Sequence, residues 1–223
     1  MEKRKIEFIE FLMGAGVLKF GDFIAKSGRR LPYFINAGEI KTGDQIAKLG
    51  EFYAACYLEN VGNRRTVLYG PAYKGIPLSV SASVALAGKG LDVPFFFNRK
   101  EVKDHGEGGL FVGYKPQAGE DIVIVEDVIT AGTAIRESMD LLATLDNAHV
   151  AATMIMVDRM EKGKGDSGIS AMAELTETYG FPVYSIVTVY DIIEYLESHP
   201  ERMSDPDCVN RIRAYLEVYG ATK

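Results

Sequence analysis

Two adjacent carboxylates, Glu126 and Asp127, are separated by Val128-Ile129 from Thr130-Ala131-Gly132-Thr133. Ile122 to Val125 form a continuous apolar run suited to a strand buried on both faces, and Ile135, Met139, Leu142 and Leu145 keep helical spacing after the loop. A strand that feeds a helix through such a loop is an anion-binding arrangement. Loop and first-turn N–H groups point outward, the threonine hydroxyls add donors, Gly132 lets the backbone turn tightly, and the helix dipole favours a phosphate. Carboxylates beside a phosphate need a different partner: they accept hydrogen bonds from vicinal ribose hydroxyls, or reach Mg²⁺ through water. The expected ligand is a sugar phosphate with free hydroxyls.

Cations gather elsewhere. Arg99, Lys100 and Lys103 place three positive charges within five positions, and His105 adds a donor. They open the stretch RKEVKDHGEGGLFVGYKPQAGED, which has no period of its own and reads as one long functional loop, with Gly106, Gly108 and Gly109 allowing it to open and close. Such a cluster suits an anionic leaving group on which charge builds as a bond stretches. A second anion loop is expected at Tyr73-Lys74, between a strand at 66–69 and a helix at 76–87, with Lys74 as the charge and N–H groups near Ala72 and Tyr73 as donors. No Gly-x-Gly-x-x-Gly joins a strand to a helix and no Gly-x-x-x-x-Gly-Lys-Ser/Thr loop occurs, so NAD and ATP-hydrolysis readings fall.

The elements that must carry these residues follow from periodicity. Ile6, Phe8, Ile9, Leu12 and Met13 keep helical spacing until Gly14 and Gly16 stop it, and VLKFGDFIAKSGRRLPYFINAG reads as two antiparallel strands around Lys26-Ser27-Gly28-Arg29. A helix is expected over 44–59, burying Ile46, Leu49, Tyr53, Cys56 and Tyr57. Short β-rich runs (TVLYG, VPFFFN, DIVIVED, HVAATMIMVD, FPVYSIVTVY) then alternate with helical patterns, the mark of an α/β fold with a central, mainly parallel sheet flanked by helices. A last helix over 207–219 is expected against the sheet edge. With no linker or repeat, 1–223 reads as one domain on which 1–40 form a small N-terminal segment.

Composition bounds the function. The 223 residues carry 25 Lys+Arg against 31 Asp+Glu, a formal charge of −6, and are 47% hydrophobic and 25% charged. That is the balance of a soluble globular protein and argues against nucleic acid or an acidic membrane as partner. Cys56 and Cys208 lie far apart with no Cys-x-x-Cys, which favours a reducing, cytoplasmic setting over disulfides or structural zinc. No apolar run is long enough for a membrane helix, and MEKRKIEFIEF lacks a signal-peptide core.

VIVEDVITAGTA resembles the phosphoribosyl-pyrophosphate motif of type I phosphoribosyltransferases. Three further segments make nearly the whole chain similar to the orotate phosphoribosyltransferase family: FGDFIAKSGRRLPYFINAG is like its N-terminal hood, RKEVKDHGEGGLFVG like its flexible loop, and VDRMEKG like the strand end that meets the base. The resemblance implies a type I phosphoribosyltransferase fold whose hood is 1–40. It implies transfer of ribose 5-phosphate from 5-phosphoribosyl 1-pyrophosphate to N1 of orotate, giving orotidine 5′-monophosphate and pyrophosphate with Mg²⁺, in pyrimidine biosynthesis. The donor would be held by Lys26, Tyr73, Lys74, Arg99, Lys100, Lys103 and His105 and by the run Glu126, Asp127, Val128, Ile129, Thr130, Ala131, Gly132, Thr133 and Ala134. Lys103, His105 and Asp127 are the implied catalytic groups. Mg²⁺ would be held by the donor and waters near the acidic pair, with no direct protein ligand.

The resemblance also implies a homodimer that shares loop 99–109 across its interface, and a cis peptide between Ala72 and Tyr73. Orotate, flat and anionic, would meet Phe34, Ile35, Thr130 and Arg159: Phe34 as an apolar wall, Arg159 as a cationic fork. Ile35 departs from relatives that carry a second aromatic there, which implies either weaker stacking or a contact made by the backbone at 34 and 35. The structural alternative for Arg159 is an ion pair with Asp158 or Glu161. Two other functions compete: a regulator that binds the donor and acts on nucleic acid, which the acidic charge and lack of a DNA-binding segment disfavour, and an enzyme of this class acting on another base.

Overall fold

The structure is a computed structural model that describes residues 1–25, 28–103, 109–130, 132–146, 148–163, 168–203 and 205–221, with Val102 and Lys103 described by their backbone alone. The first helix, α1 (Lys3–Gly14), leads into a hairpin of β1 (Leu18–Ile24) and β2 (Arg30–Ile35), paired antiparallel. Then come α2 (Gly43–Asn60), β3 (Val67–Gly70), α3 (Gly75–Ala87), β4 (Phe95–Lys103), β5 (Gly109–Gly113), β6 (Asp121–Ile129) and α4 (Thr133–Leu142). The chain closes with β7 (His149–Asp158), α5 (Ala171–Tyr179), β8 (Val183–Thr188), α6 (Val189–Ser198) and α7 (Cys208–Tyr219).

Six strands form one sheet in the order β5-β4-β3-β6-β7-β8, parallel throughout except for β5, which runs antiparallel to β4 at the edge. The apolar run in β6 explains itself here. Ile122 and Ile124 face one core with Val67, Tyr69, Ile135, Leu142 and Leu175, while Val123 and Val125 face the other with Leu49, Leu78 and Leu86. That second core also takes in Phe8, Leu12, Val17 and Tyr33, so α1 and the hairpin share it with the sheet. Helix α2 starts on a capping box in which Thr42 Oγ1 accepts from Gln45 N and the Gln45 side chain accepts from Thr42 N. It lies against α3 so closely that a Cβ on Gly50 would stand 2.4 Å from Ser81 O.

From β3 the chain steps outward to β4 and β5; from β6 it steps the other way to β7 and β8. The reversal lies between β3 and β6. In an open α/β sheet the crevice beyond the strand ends at such a switch point is where ligands bind.

Two expectations change. Arg99 to Lys103 extend β4, and Gly109 to Gly113 pair back on it, so much of the stretch read as one loop is a β-ribbon whose aromatic Phe111 packs on Tyr69 and Phe96. And α7 packs on β2 and α6, with Tyr215 edge-on to Tyr33, and not on the edge of the large sheet.

Candidate active site

The acidic pair lies inside the last turn of β6 pleating, still hydrogen-bonded to β7, with both side chains buried. Glu126 O accepts from Tyr53 OH at 2.6 Å, which fixes the strand end from α2. Glu126 Oε1 accepts from Asp127 N at 2.9 Å and Asp127 Oδ1 from Val128 N at 2.8 Å. Asp127 Oδ2 is 2.9 Å from Lys74 Nζ, joining β6 to the loop that follows β3 across the switch point. Burial pushes the Glu126 carboxyl up to about 8, the adjacent Asp127 charge adds to the rise, and Lys74 opposes it.

Beyond the pair, Glu126, Val128, Ile129, Thr130, Gly132, Thr133 and Ala134 line a cavity of about 310 Å³. Gly132 caps α4 at φ +71°, a left-handed conformation open to glycine, and no side chain caps that helix. The α4 start thus borders a space that Thr130 and Thr133 also line.

The facing loop is held by a residue that sequence reading missed. Asn98 Oδ1, buried in β4, accepts both from Tyr69 OH at 2.8 Å and from Ala72 N at 2.9 Å. Its neighbourhood is tight: a Cβ on Gly70 would stand 2.3 Å from Gly75 O and Ser79 Oγ, so β3 can meet α3 only through glycine. The Ala72–Tyr73 peptide is cis. Tyr73 is 71% exposed, with Lys100 Nζ 5.9 Å from its ring centroid, while Arg99 Nη1 donates to Gly109 O at 3.0 Å. Lys74 therefore touches the acidic pair, and Lys100 lies beside the ring of Tyr73, the residue before Lys74. Lys26, His105, Ala131 and the Lys103 side chain lie outside the described residues, as does the 104–108 part of the segment expected to open and close.

The hood supplies a different set. Phe34 and Ile35 leave β2 on opposite faces: Phe34 is exposed and stacks on Phe23 of β1 at 5.5 Å, while the Ile35 side chain belongs to the core. Phe23 thus sets a second ring beside Phe34 across the hairpin. Arg159, at the end of β7, is buried under the Tyr33 ring, 5.2 Å from its centroid, so the ring on its side of β2 is Tyr33, with Phe34 on the other. Its Nη2 is 2.6 Å from Glu161 Oε1, so the ion pair weighed as the alternative is made. Burial opposes the Arg159 charge, but Tyr33, Glu161 and Tyr215 outweigh it and hold its pKa above the usual arginine value. Cys56 and Cys208 are buried free thiols; His149 Nδ1 pairs with Asp121 at 2.6 Å and His199 Nδ1 sits 2.9 Å from Tyr195 O, all away from the crevice.

Residues 36–183, which contain both anion loops, match the phosphoribosyl transferase domain family. The chain is 48% identical to the orotate phosphoribosyltransferase of Clostridium acetobutylicum over 224 aligned positions, 99% of each chain, and 49% identical to that of Photorhabdus laumondii, over 99% of this chain and 100% of the other. The chain belongs to the orotate phosphoribosyltransferase family. The crystal structure of the Francisella tularensis orotate phosphoribosyltransferase superposes with a TM-score of 0.82 at 38% identity, covering 96% of this chain and all of the other.

Proposed function

We propose that the crevice transfers ribose 5-phosphate from 5-phosphoribosyl 1-pyrophosphate to N1 of orotate, the N1–C1 bond forming as the C1–O bond to pyrophosphate breaks, its electron pair leaving with pyrophosphate and the N1 proton passing to pyrophosphate or water. One observation carries this most directly: a buried acidic pair, ion-paired to Lys74, stands beside an uncapped helix start lined with Thr130 and Thr133. The 5-phosphate takes the α4 start. Glu126 and Asp127 accept from the ribose hydroxyls and orient C1. Lys74, Lys100, Arg99, Lys103, His105 and Lys26 stabilise the pyrophosphate as it gains charge, while the backbone about Tyr73 adds donors. The Ile35 backbone, Thr130 and Arg159 receive the orotate ring and its carboxylate, with Tyr33 in place of Phe34 as the ring on the Arg159 side of β2.

The donor set fits Mg²⁺ held through the substrate. Among the described residues no three acidic, histidine or cysteine side chains come together as a metal cage, and Asp127 is already committed to Lys74 and Val128 N. When bound, Mg²⁺ supplies charge to the pyrophosphate and ribose oxygens.

The same reading includes a cytoplasmic homodimer sharing loop 99–109. Its support is an apolar groove between α2 and α3, lined by Ile46, Pro77, Val80 and Val84, with Val84 two-thirds exposed. No helix among the described residues is long and apolar enough to cross a membrane. The test is the absorbance change of orotate in the presence of donor and Mg²⁺. Turnover of orotate is expected; turnover of a purine base in its place would overturn the assignment.

A further inference from the structure

Glu161 holds two arginines from distant parts of the chain. Its Oε2 accepts from Arg29 Nη2 at 2.8 Å, while its Oε1 accepts from Tyr215 OH at 2.8 Å and faces Arg159 Nη2. Arg29 in turn lies over the rings of Tyr219 and Tyr215, 4.8 and 5.6 Å from their centroids, so the hairpin, the end of β7 and α7 meet here. A carboxylate paired with Arg159 alone would make a neutral pair and cancel the charge that an anionic ligand needs. Arg29 alters that sum, since two guanidinium groups against one carboxylate leave a surplus positive charge.

The surroundings keep that surplus. Asp158 turns Oδ1 to Met160 N at 2.7 Å, and burial together with the Glu161 charge raises its pKa, disfavouring a second negative charge. Arg159 Nε and Arg29 Nε are buried with no hydrogen-bond partner among the described residues, while Arg159 Nη2 is taken up by Glu161. Buried donors without acceptors are costly, and an anionic group arriving at Arg159 would satisfy its Nε.

We infer that Arg29 is a specificity-determining residue of the base pocket: by balancing Glu161 it leaves the Arg159 charge for the carboxylate of the base, so the cluster selects an anionic pyrimidine over a neutral one. The inference rests on the orotate reading of the crevice and adds a residue that the sequence treated only as part of a turn. Arg29 acts through Glu161 and Arg159, without needing to touch the base itself.

The test is a charge-restoration series. Arg29→Met should raise KM for orotate at least about tenfold and weaken orotate relative to neutral uracil as a competitor, with KM for the donor and kcat within about threefold. Arg29→Met/Glu161→Gln, which returns the surplus charge by removing the carboxylate, should bring KM for orotate back to within about threefold of wild type. A merely structural Arg29 would not be rescued by losing its partner as well, so a double variant as poor as the single one overturns the inference. So does an unchanged orotate KM in Arg29→Met. If that variant fails to fold, Arg29→Lys decides: it keeps the charge and should keep KM for orotate, and a tenfold rise there refutes the charge argument. A wild-type chain without orotate turnover would sink the assigned reaction, an outcome separate from any of these.

Discussion

Glu126 is buried beside another carboxylate, with Lys74 opposing their charge, and that imbalance has a measurable sign. In the unfolded chain its carboxyl titrates near 4.5, whereas in the fold burial and the Asp127 charge push it up to about 8. The folded protein therefore holds a proton that the unfolded chain has released between those values. This stability is present below the unfolded pKa, is lost as pH rises through the folded one, and changes no further above it. Glu126→Gln removes the titration. Its Tm relative to wild type should climb from pH 5 to pH 8 by at least about 3 °C, the shift that about 1 kcal/mol gives a chain of this size, and then level off. A difference independent of pH would show that the site does not force a proton onto Glu126. The residue types at 126–133 made this site readable from sequence, because donors and acceptors for one ligand stand next to one another in the chain. Asn98 and Phe23 were not readable, since each does its work across strands: Asn98 on Ala72 and Tyr69, Phe23 on Phe34. Nothing within a few residues of either signals that partner.

Between elements, the contact that shapes the crevice is the turn from β3 into α3. Gly70 touches Gly75 and Ser79, and a Cβ on Gly75 would stand 2.6 Å from Pro71 Cδ and 2.9 Å from Val125 O, so α3 rests on the backbone of both β3 and β6. Lys74 is carried between these glycines to Asp127. Gly70→Ala should cost about 1–3 kcal/mol, because the atoms it meets are backbone and a short hydroxyl that cannot swing aside. The urea midpoint should fall accordingly, and KM for the donor should rise as Lys74 is displaced. Gly14→Ala at the end of α1 meets nothing within 4 Å and serves as the control. Equal midpoints for the two variants would refute the close-packing argument. The order of helices and strands could be read because β6 is apolar on both faces and α2 and α3 carry clear periods. The β4–β5 ribbon could not: Arg99, Lys100 and Glu101 are charged, the last two exposed, where the hydrophobic signal of a strand should be, and the strand they pair with begins only at Gly109. Helix α7 was found by its period, but which surface it covers depends on Tyr33 and Glu161, a tertiary matter.

Across the whole molecule a formal charge of −6 coexists with a site for polyanions. Bulk charge bears on extended surfaces such as nucleic acid; a small crevice needs only local cations, and Arg99 and Lys100 on β4, Lys74 before α3 and Arg159 after β7 supply them. A dimer would add more from the partner. If loop 99–109 of one protomer serves the crevice of the other, Lys103→Ala and Asp127→Asn damage different halves of a shared site. Each pure variant should then lose nearly all activity while remaining folded and dimeric by light scattering. In a C2 dimer built from one protomer of each kind, one crevice combines an intact loop with an intact acidic pair, and the other carries both lesions. Co-refolding equal amounts makes half the dimers mixed, so about a quarter of wild-type activity should return. Samples mixed without subunit exchange should show none of it. If the loop served its own protomer, every crevice would keep one lesion, and a population shown by mass to be half heterodimer would stay as inactive as its parents.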